Sequence, residues 1–204
     1  MPIILQKKGA QHLIQLKKNN LEGAIVIQLQ WGNKAPVDLD LGCYYELRNS
    51  ERNLIDALQF GDGNGGPKDV VSRQGCYTNP PYIWHTGDDR GEGNSSTETI
   101  IVNAKGIQYI RRIVAYTYIY EGAAQWNLTD AVVNVSVPGQ QTVSVKMGEV
   151  NDKRRFCAVA QIDFDIDNSI TVKRLVSFHN THSDADLQYG WGFNYVHKYK
   201  SNNN

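Results

Sequence analysis

Hydrophobic and polar residues alternate along most of this chain, and the alternating segments are rich in Val, Ile, Thr and Tyr. A period of two residues is typical of β-strands, because successive side chains then point to opposite faces of a sheet. No segment keeps a helical hydrophobic stripe beyond about three turns. The pattern predicts strands at 24–31, 37–47, 98–103, 109–120, 131–137, 142–147, 156–164 and 170–178.

The connections between these strands predict an all-β fold, a two-sheet β-sandwich with little helix. Most connections are short and contain Gly, Pro or Asn, and no helical crossover is visible between strands. The pair 156–164 and 170–178 is predicted to form a hairpin. Segment 51–60 fits a short helix and a strand equally poorly, and 122–129 is interpreted as a helical turn. Alternating aromatic residues predict a further strand around 189–195.

The chain length favours one domain. A chain of 204 residues can bury one sizeable core but is short for two. We expect a single domain over 1–200 and a frayed tail at 201–204. Two long loops, 61–81 and 87–97, interrupt the strand pattern, and loops of that length within a domain are often functional.

Composition argues against several function classes. Lys plus Arg and Asp plus Glu both number 21, so no overall field would attract nucleic acid or an anionic membrane. No segment approaches the roughly 20 apolar residues of a membrane span. The three cysteines, Cys43, Cys76 and Cys157, have no metal-site spacing, which fits reduced thiols. We therefore expect a cytoplasmic protein.

Acidic residues concentrate in two places. In the strand at 37–47, Asp38 and Asp40 leave one face while Leu39 and Leu41 enter the core from the other. The glycine-rich segment 87–98 adds four more carboxylates, and the loop after Phe60 adds another. The candidate ligands are Asp38, Asp40, Asp62, Asp88, Asp89, Glu92 and Glu98.

An oxygen-only ligand set on flexible loops is typical of calcium, since zinc would favour His or Cys. His85 is the nearby nitrogen ligand. This many carboxylates would repel one another without a cation, and their number suits two ions better than one. From the spacing alone, acids on solvated loops explain the same pattern equally well. The series Asp163-x-Asp165-x-Asp167 begins like an EF-hand loop but lacks its turn glycine and its closing glutamate.

Several motifs resemble the TerD type of tellurium-resistance stress proteins, which are small bacterial calcium-binding domains. The matching residues are Val37-Asp-Leu-Asp-Leu41 and His85-Thr-Gly-Asp-Asp-Arg-Gly-Glu-Gly93, closed by Glu98. Three further segments look like the TerA branch of that family. They are Ile119-Tyr-Glu-Gly-Ala123, Val137-Pro-Gly139 and Tyr189-Gly-Trp-Gly192.

The resemblance implies a β-sandwich that holds calcium between the Asp-x-Asp strand and the Gly-Asp-Asp loop, with Asp62 standing where the family usually has Asn. The loop here is one residue shorter, and Asn94, Ser95, Ser96 and Thr97 replace much of its acidic run. Fewer charges leave open a weaker second site, or one ion instead of two.

Three functions follow as hypotheses. The first is a non-enzymatic, calcium-ordered module of a stress response that binds partner proteins, such as other proteins of the same resistance system. The second is a calcium-dependent carbohydrate-binding sandwich that stacks sugars on Trp191 or Trp84. The third, ranked last, is a metal-assisted hydrolase that uses His85.

Overall fold

The computed structural model describes residues 1–16, 23–32, 37–56, 66–87, 95–149 and 151–195, which form thirteen strands and one α-helix. The strands are β1 (Ile3–Ile4), β2 (Gln11–Gln15), β3 (Ala24–Gly32), β4 (Asp38–Leu47), β5 (Arg52–Asp56), β6 (Gly75–Cys76), β7 (Ile83–His85), β8 (Ser95–Asn103), β9 (Ile110–Glu121), β10 (Val132–Ser136), β11 (Val143–Lys146), β12 (Phe156–Phe164) and β13 (Ser169–His179). Helix α1 spans His182–Tyr189, and 3₁₀ helices span Ala104–Gln108 and Trp126–Leu128.

The strands form two sheets, which confirms the sandwich. Sheet A has seven strands in the order β1-β11-β10-β3-β8-β7-β6, and sheet B has six in the order β2-β13-β12-β9-β4-β5. Neighbouring strands are antiparallel, apart from the parallel pair of β1 and β11. All eight predicted strands are present, with ends shifted by up to three residues.

The main core lies between the sheets and comes from the inward half of each alternating strand. Ile27 and Leu29 of β3 belong to the same hydrophobic cluster as Leu39 and Leu41 of β4, and all four are fully buried. Burying such side chains stabilises the fold by about 1.5–3 kcal/mol each. The period-two pattern therefore encodes which face of each sheet meets the other.

A second layer covers the outer face of sheet B. Helix α1 and residues 191–195 pack on an aromatic cluster that includes Tyr44, Tyr116, Phe156 and Trp191. The predicted strand around 189–195 is therefore wrong, because this segment is the end of a helix followed by irregular chain. The aromatic residues alternate in sequence but pack as a cover over the sheet.

An ion-pair cluster anchors this covering layer. Glu46 of β4 is almost fully buried and binds Arg111 at 2.9 Å and Arg112 at 2.8 Å. These guanidinium groups hold the pKa of Glu46 below its usual value despite burial, which alone would raise it. Arg112 also lies 4.3 Å from the centre of the Trp191 ring, and Arg52 donates to the carbonyl of Gly190. The cluster thus ties the C-terminal segment to sheet B.

Other elements differ from or extend the sequence interpretation. In the ambiguous segment 51–60, residues 52–56 form β5, and 57–60 lie outside the described residues. The 3₁₀ helix at Trp126–Leu128 confirms the helical turn in 122–129. Strand β8 begins at Ser95, so the predicted loop 87–97 ends earlier than expected. Residues 196–204 are outside the described ranges, so the frayed tail stays a prediction.

In the parts of the chain that the structure describes, no helix is long and apolar enough to cross a membrane.

Tyr116 of β9 lies across Gly42 of β4, and a Cβ atom at position 42 would overlap its ring. We expect Gly42→Ala to lower the free energy of unfolding by about 1–3 kcal/mol, since neither the ring nor the strand can move aside freely. Gly32→Ala is the control, because a Cβ there meets its neighbours only at 3.9 Å. Urea denaturation of both variants measures the difference, and equal midpoints would contradict the packing described here.

Candidate metal centre

The structure places three of the seven predicted ligands. Asp38 and Asp40 lie on β4, and Glu98 lies on β8. Asp62, Asp88, Asp89 and Glu92 lie outside the described residues, so their part in a site stays a prediction.

Asp40 is the more deeply buried of the two predicted ligands on β4. It is 3% exposed and pairs in register with Tyr118 of β9, while its neighbours Leu39 and Leu41 face the core, as predicted. Its Oδ2 atom has no hydrogen-bond partner among the described residues. A buried carboxylate oxygen in this position costs free energy unless a proton or a cation compensates it.

The surroundings of Asp40 raise the pKa of its carboxyl group to about 9, and burial is the largest cause. Repulsion from the nearby carboxylates of Glu98, Asp38 and Asp56 follows in that order, while the Tyr118 hydroxyl acts in the opposite direction. Four carboxylates from three strands therefore form one electrostatic cluster, which we call the carboxylate cluster. Such a cluster favours a bound cation.

Asp56 is the member of the carboxylate cluster that the sequence analysis missed. It ends β5 and pairs in register with Gly42, two residues beyond Asp40, so it lies on the same face of sheet B. Its Oδ2 atom is 3.4 Å from Nε2 of His182, the first residue of α1. A strand assignment for 51–60 would have placed Asp56 beside the Asp-x-Asp pair.

Glu98 and His85 reach from sheet A to the backbone of β4. The N–H of Leu41 donates to Oε2 of Glu98 at 2.6 Å. Leu41 comes one residue before Gly42, and Gly42 is the first residue of β4 that pairs with β5 among the described residues. Glu98 therefore bonds to the strand next to Asp40 as well as contributing charge to the cluster.

The hydrogen bonds of His85 fix its tautomer. The N–H of Gly87 donates to Nδ1 at 3.1 Å, so Nδ1 carries no proton, and Nε2–H donates to the carbonyl of Leu41 at 3.0 Å. His85 is fully buried. Both ring nitrogens are thus engaged in holding β4 and Gly87 together, which leaves neither for a metal or for proton transfer.

The donor chemistry of the carboxylate cluster fits a hard cation such as calcium, because every candidate ligand is an oxygen. Within the described ranges, however, no group of three or more His, Cys, Asp or Glu side chains is arranged to hold a metal ion. Any ion here would need further ligands, and the unplaced predicted acids are the candidates.

Asp165 and Asp167 of the acidic series at 163–167 accept hydrogen bonds within the turn of the hairpin. Asp167 accepts a hydrogen bond from the N–H of Ser169 at 3.0 Å, and Asp165 accepts one from its hydroxyl at 3.3 Å. Strands β12 and β13 pair on either side of this turn, as the sequence predicted.

Comparison with known proteins finds a sequence relative and solved structures of similar fold. A tellurium resistance protein TerA from an Alcaligenes species is 30% identical over 194 residues, which cover 88% of this chain and 53% of the relative. The chain thus spans about half the length of the curated relative that it matches. No family model matches the chain.

The crystal structure of a homologue of the telluride resistance protein TerD from Streptomyces coelicolor A3(2) superposes with a TM-score of 0.52. The match covers 80% of this chain and 93% of that chain at 12% sequence identity. At this identity the likeness concerns the fold alone.

Replacing Asp40 by Asn tests its burial without a cation. The pKa of Asp40 in the folded state lies above its ordinary value, so the folded protein favours the protonated carboxyl. The stability that this protonated form contributes is fully present below about pH 4 and is lost as the pH rises toward about 9. In chelator, we expect Asp40→Asn to gain stability over wild type as the pH rises from about 5 to about 8, by at most about 1.4 kcal/mol per pH unit. Urea denaturation measures it.

Asp69→Asn, at an exposed position, is the control and should show no such pH-dependent gain. An equal gain for Asp40→Asn at both pH values would contradict the described environment of Asp40.

Proposed function

We propose that this chain, which is similar to a tellurium resistance protein TerA, is a non-enzymatic calcium-binding module of a stress response. The observation that carries the proposal is the carboxylate cluster around the buried Asp40. Calcium would be held by Asp38, Asp40 and Glu98 with Asp56, together with the predicted ligands Asp62, Asp88, Asp89 and Glu92. One or two ions are compatible with this set.

A bound cation would neutralise the mutual repulsion of the carboxylate cluster and keep Asp40 ionised. The chain's own part is to bring these acids together. Strand β4 presents the Asp-x-Asp pair, β5 adds Asp56, and the bond from Leu41 holds Glu98 beside them. Calcium would thereby order the loops next to the cluster and create a surface for a partner protein of the same resistance system.

Two observations bear on the compartment and on catalysis. Cys43, Cys76 and Cys157 are free and buried, which supports the proposed cytoplasmic location, where thiols stay reduced. The hydrolase hypothesis needs His85 as a base, but both of its nitrogens are already hydrogen-bonded. This argues for a binding role.

The calcium-dependent carbohydrate hypothesis needs an open indole face beside the acidic loop. Trp191 is 3% exposed, with Arg112 over its ring and Tyr44 stacked 5.4 Å away. Its ring therefore has no room for a sugar. Trp84 is half-buried on β7, so the observation against sugar stacking concerns Trp191.

Calcium should stabilise the wild-type protein against thermal unfolding. At a free calcium concentration about 100 times Kd, we expect about 2.7 kcal/mol of stabilisation, or roughly 5–10 °C in Tm for a chain of this size. Asp40→Asn should lose most of this shift, whereas the exposed control Asp69→Asn should keep it. Scanning calorimetry with calcium and with chelator measures both.

Native mass spectrometry of the same three proteins counts the bound ions. The proposal fails if wild-type melts with calcium and with chelator coincide, or if Asp40→Asn retains the full calcium shift and all bound ions.

A further inference from the structure

The outer face of sheet A carries a continuous set of uncharged polar side chains. Their positions alternate with buried residues such as Ile27, Leu29 and Val133, so they point away from sheet B. We call this set the amide face, and its members are Gln28 and Gln30 on β3, Thr99 on β8, Asn134 and Ser136 on β10, and Ser144 on β11.

Hydrogen bonds link five of these six side chains across four strands. Ser144 donates to Asn134 Oδ1 at 2.6 Å, and Asn134 Nδ2 donates to Gln30 Oε1 at 3.0 Å. Gln30 Nε2 donates to Gln28 Oε1 at 3.0 Å, and Gln28 Nε2 donates to Thr99 Oγ1 at 3.4 Å. Each amide therefore has a fixed orientation, which lowers the entropy lost when a ligand binds.

The relay leaves hydrogen-bonding capacity unused. A primary amide has two N–H donors and an oxygen with two lone pairs. Gln28, Gln30 and Asn134 each use one donor and one acceptor within the relay. One donor and one acceptor per amide are left for a ligand.

The amide face borders a shallow depression of about 480 Å³. Its polar lining comes from Gln28, Asn134, Ser136, Gln141, Thr142 and Ser144, and Met1 and Pro2 form an apolar rim. None of these lining side chains is charged. The depression thus combines closely spaced neutral donors and acceptors with a small apolar edge.

We propose that the amide face binds a neutral oligosaccharide. A sugar hydroxyl both donates and accepts, which matches amides that have one donor and one acceptor left. A charged ligand would lose hydration here and would meet no charged side chain among the lining residues, and an apolar ligand would leave the amides unsatisfied. The apolar rim suits the C–H surface of a sugar ring.

The proposed oligosaccharide site is separate from the carboxylate cluster. Asp38, Asp40 and Asp56 lie on sheet B, and Glu98 points toward the interior of the sandwich, in phase with Ile100. Binding at the amide face should therefore not depend on calcium, unlike the carbohydrate hypothesis considered above.

The test titrates the full ¹⁵N-labelled chain with maltohexaose, cellohexaose and chitohexaose, each up to the millimolar range. We expect at least one of them to shift the side-chain amide resonances of Gln28, Gln30 and Asn134, equally with calcium and with chelator. Gln28→Ala/Asn134→Ala should weaken that binding about tenfold in calorimetry, the loss of two modest hydrogen bonds. The matched control, Gln11→Ala/Gln15→Ala, changes exposed amides on β2 of the other sheet and should bind normally.

Four results would overturn the proposal. The first is the absence of amide shifts with all three hexaoses. The second is equal weakening in the control variant. The third is preferential binding of dextran sulfate. The fourth is a dimer, seen by sedimentation, that dissociates in Gln28→Ala/Asn134→Ala, which would assign the face to a second copy of the chain. Matching urea midpoints for the two double variants would establish that both are folded.

Discussion

The peptide groups of Leu41 are held by two side chains from the opposite sheet, and the arrangement of the candidate site depends on this bridge. Glu98 accepts the N–H of Leu41, and His85 donates to its carbonyl. Hydrophobic packing between the sheets is non-directional, whereas these two bonds specify which residue of β4 meets β7 and β8. They fix the position of sheet A relative to the Asp-x-Asp strand.

The bond between Glu98 and Leu41 brings the carboxylate of Glu98 close to the buried Asp40. Glu98 cannot bond to Leu41 without approaching Asp40, and Asp56 arrives through the ordinary pairing of β5 with β4. The resulting repulsion opposes folding unless a proton or a cation offsets it. Sheet B compensates a similar difficulty elsewhere with protein groups, since Glu46 is surrounded by arginines. Arginines surround the buried Glu46, whereas carboxylates surround the buried Asp40.

The strands and the Asp-x-Asp pair could be predicted because both depend on local alternation. Asp56 could not, since Leu54 and Ile55 are both apolar and break the alternation that would have identified β5. Helix α1 was missed for a related reason, because its buried residues are Ala185 and Asp186, which form no apolar stripe. Its ends were nevertheless marked, by the capping Thr181 and by Gly190 in the left-handed conformation. The hydrogen bond from His85 Nε2 to Leu41 joins residues 44 apart in sequence, which no local pattern contains.

The hydrogen bond from Gly87 to His85 has a consequence for the cost of ordering the acidic segment. Gly87 is attached to β4 through His85, and Ser95 is paired with Gly32 of β3. Both ends of the intervening segment are therefore held by the folded sandwich, so its loop-closure entropy is already lost before any ligand arrives. An ion bound between these two ends would not have to bring them together, so more of its binding energy would remain as affinity.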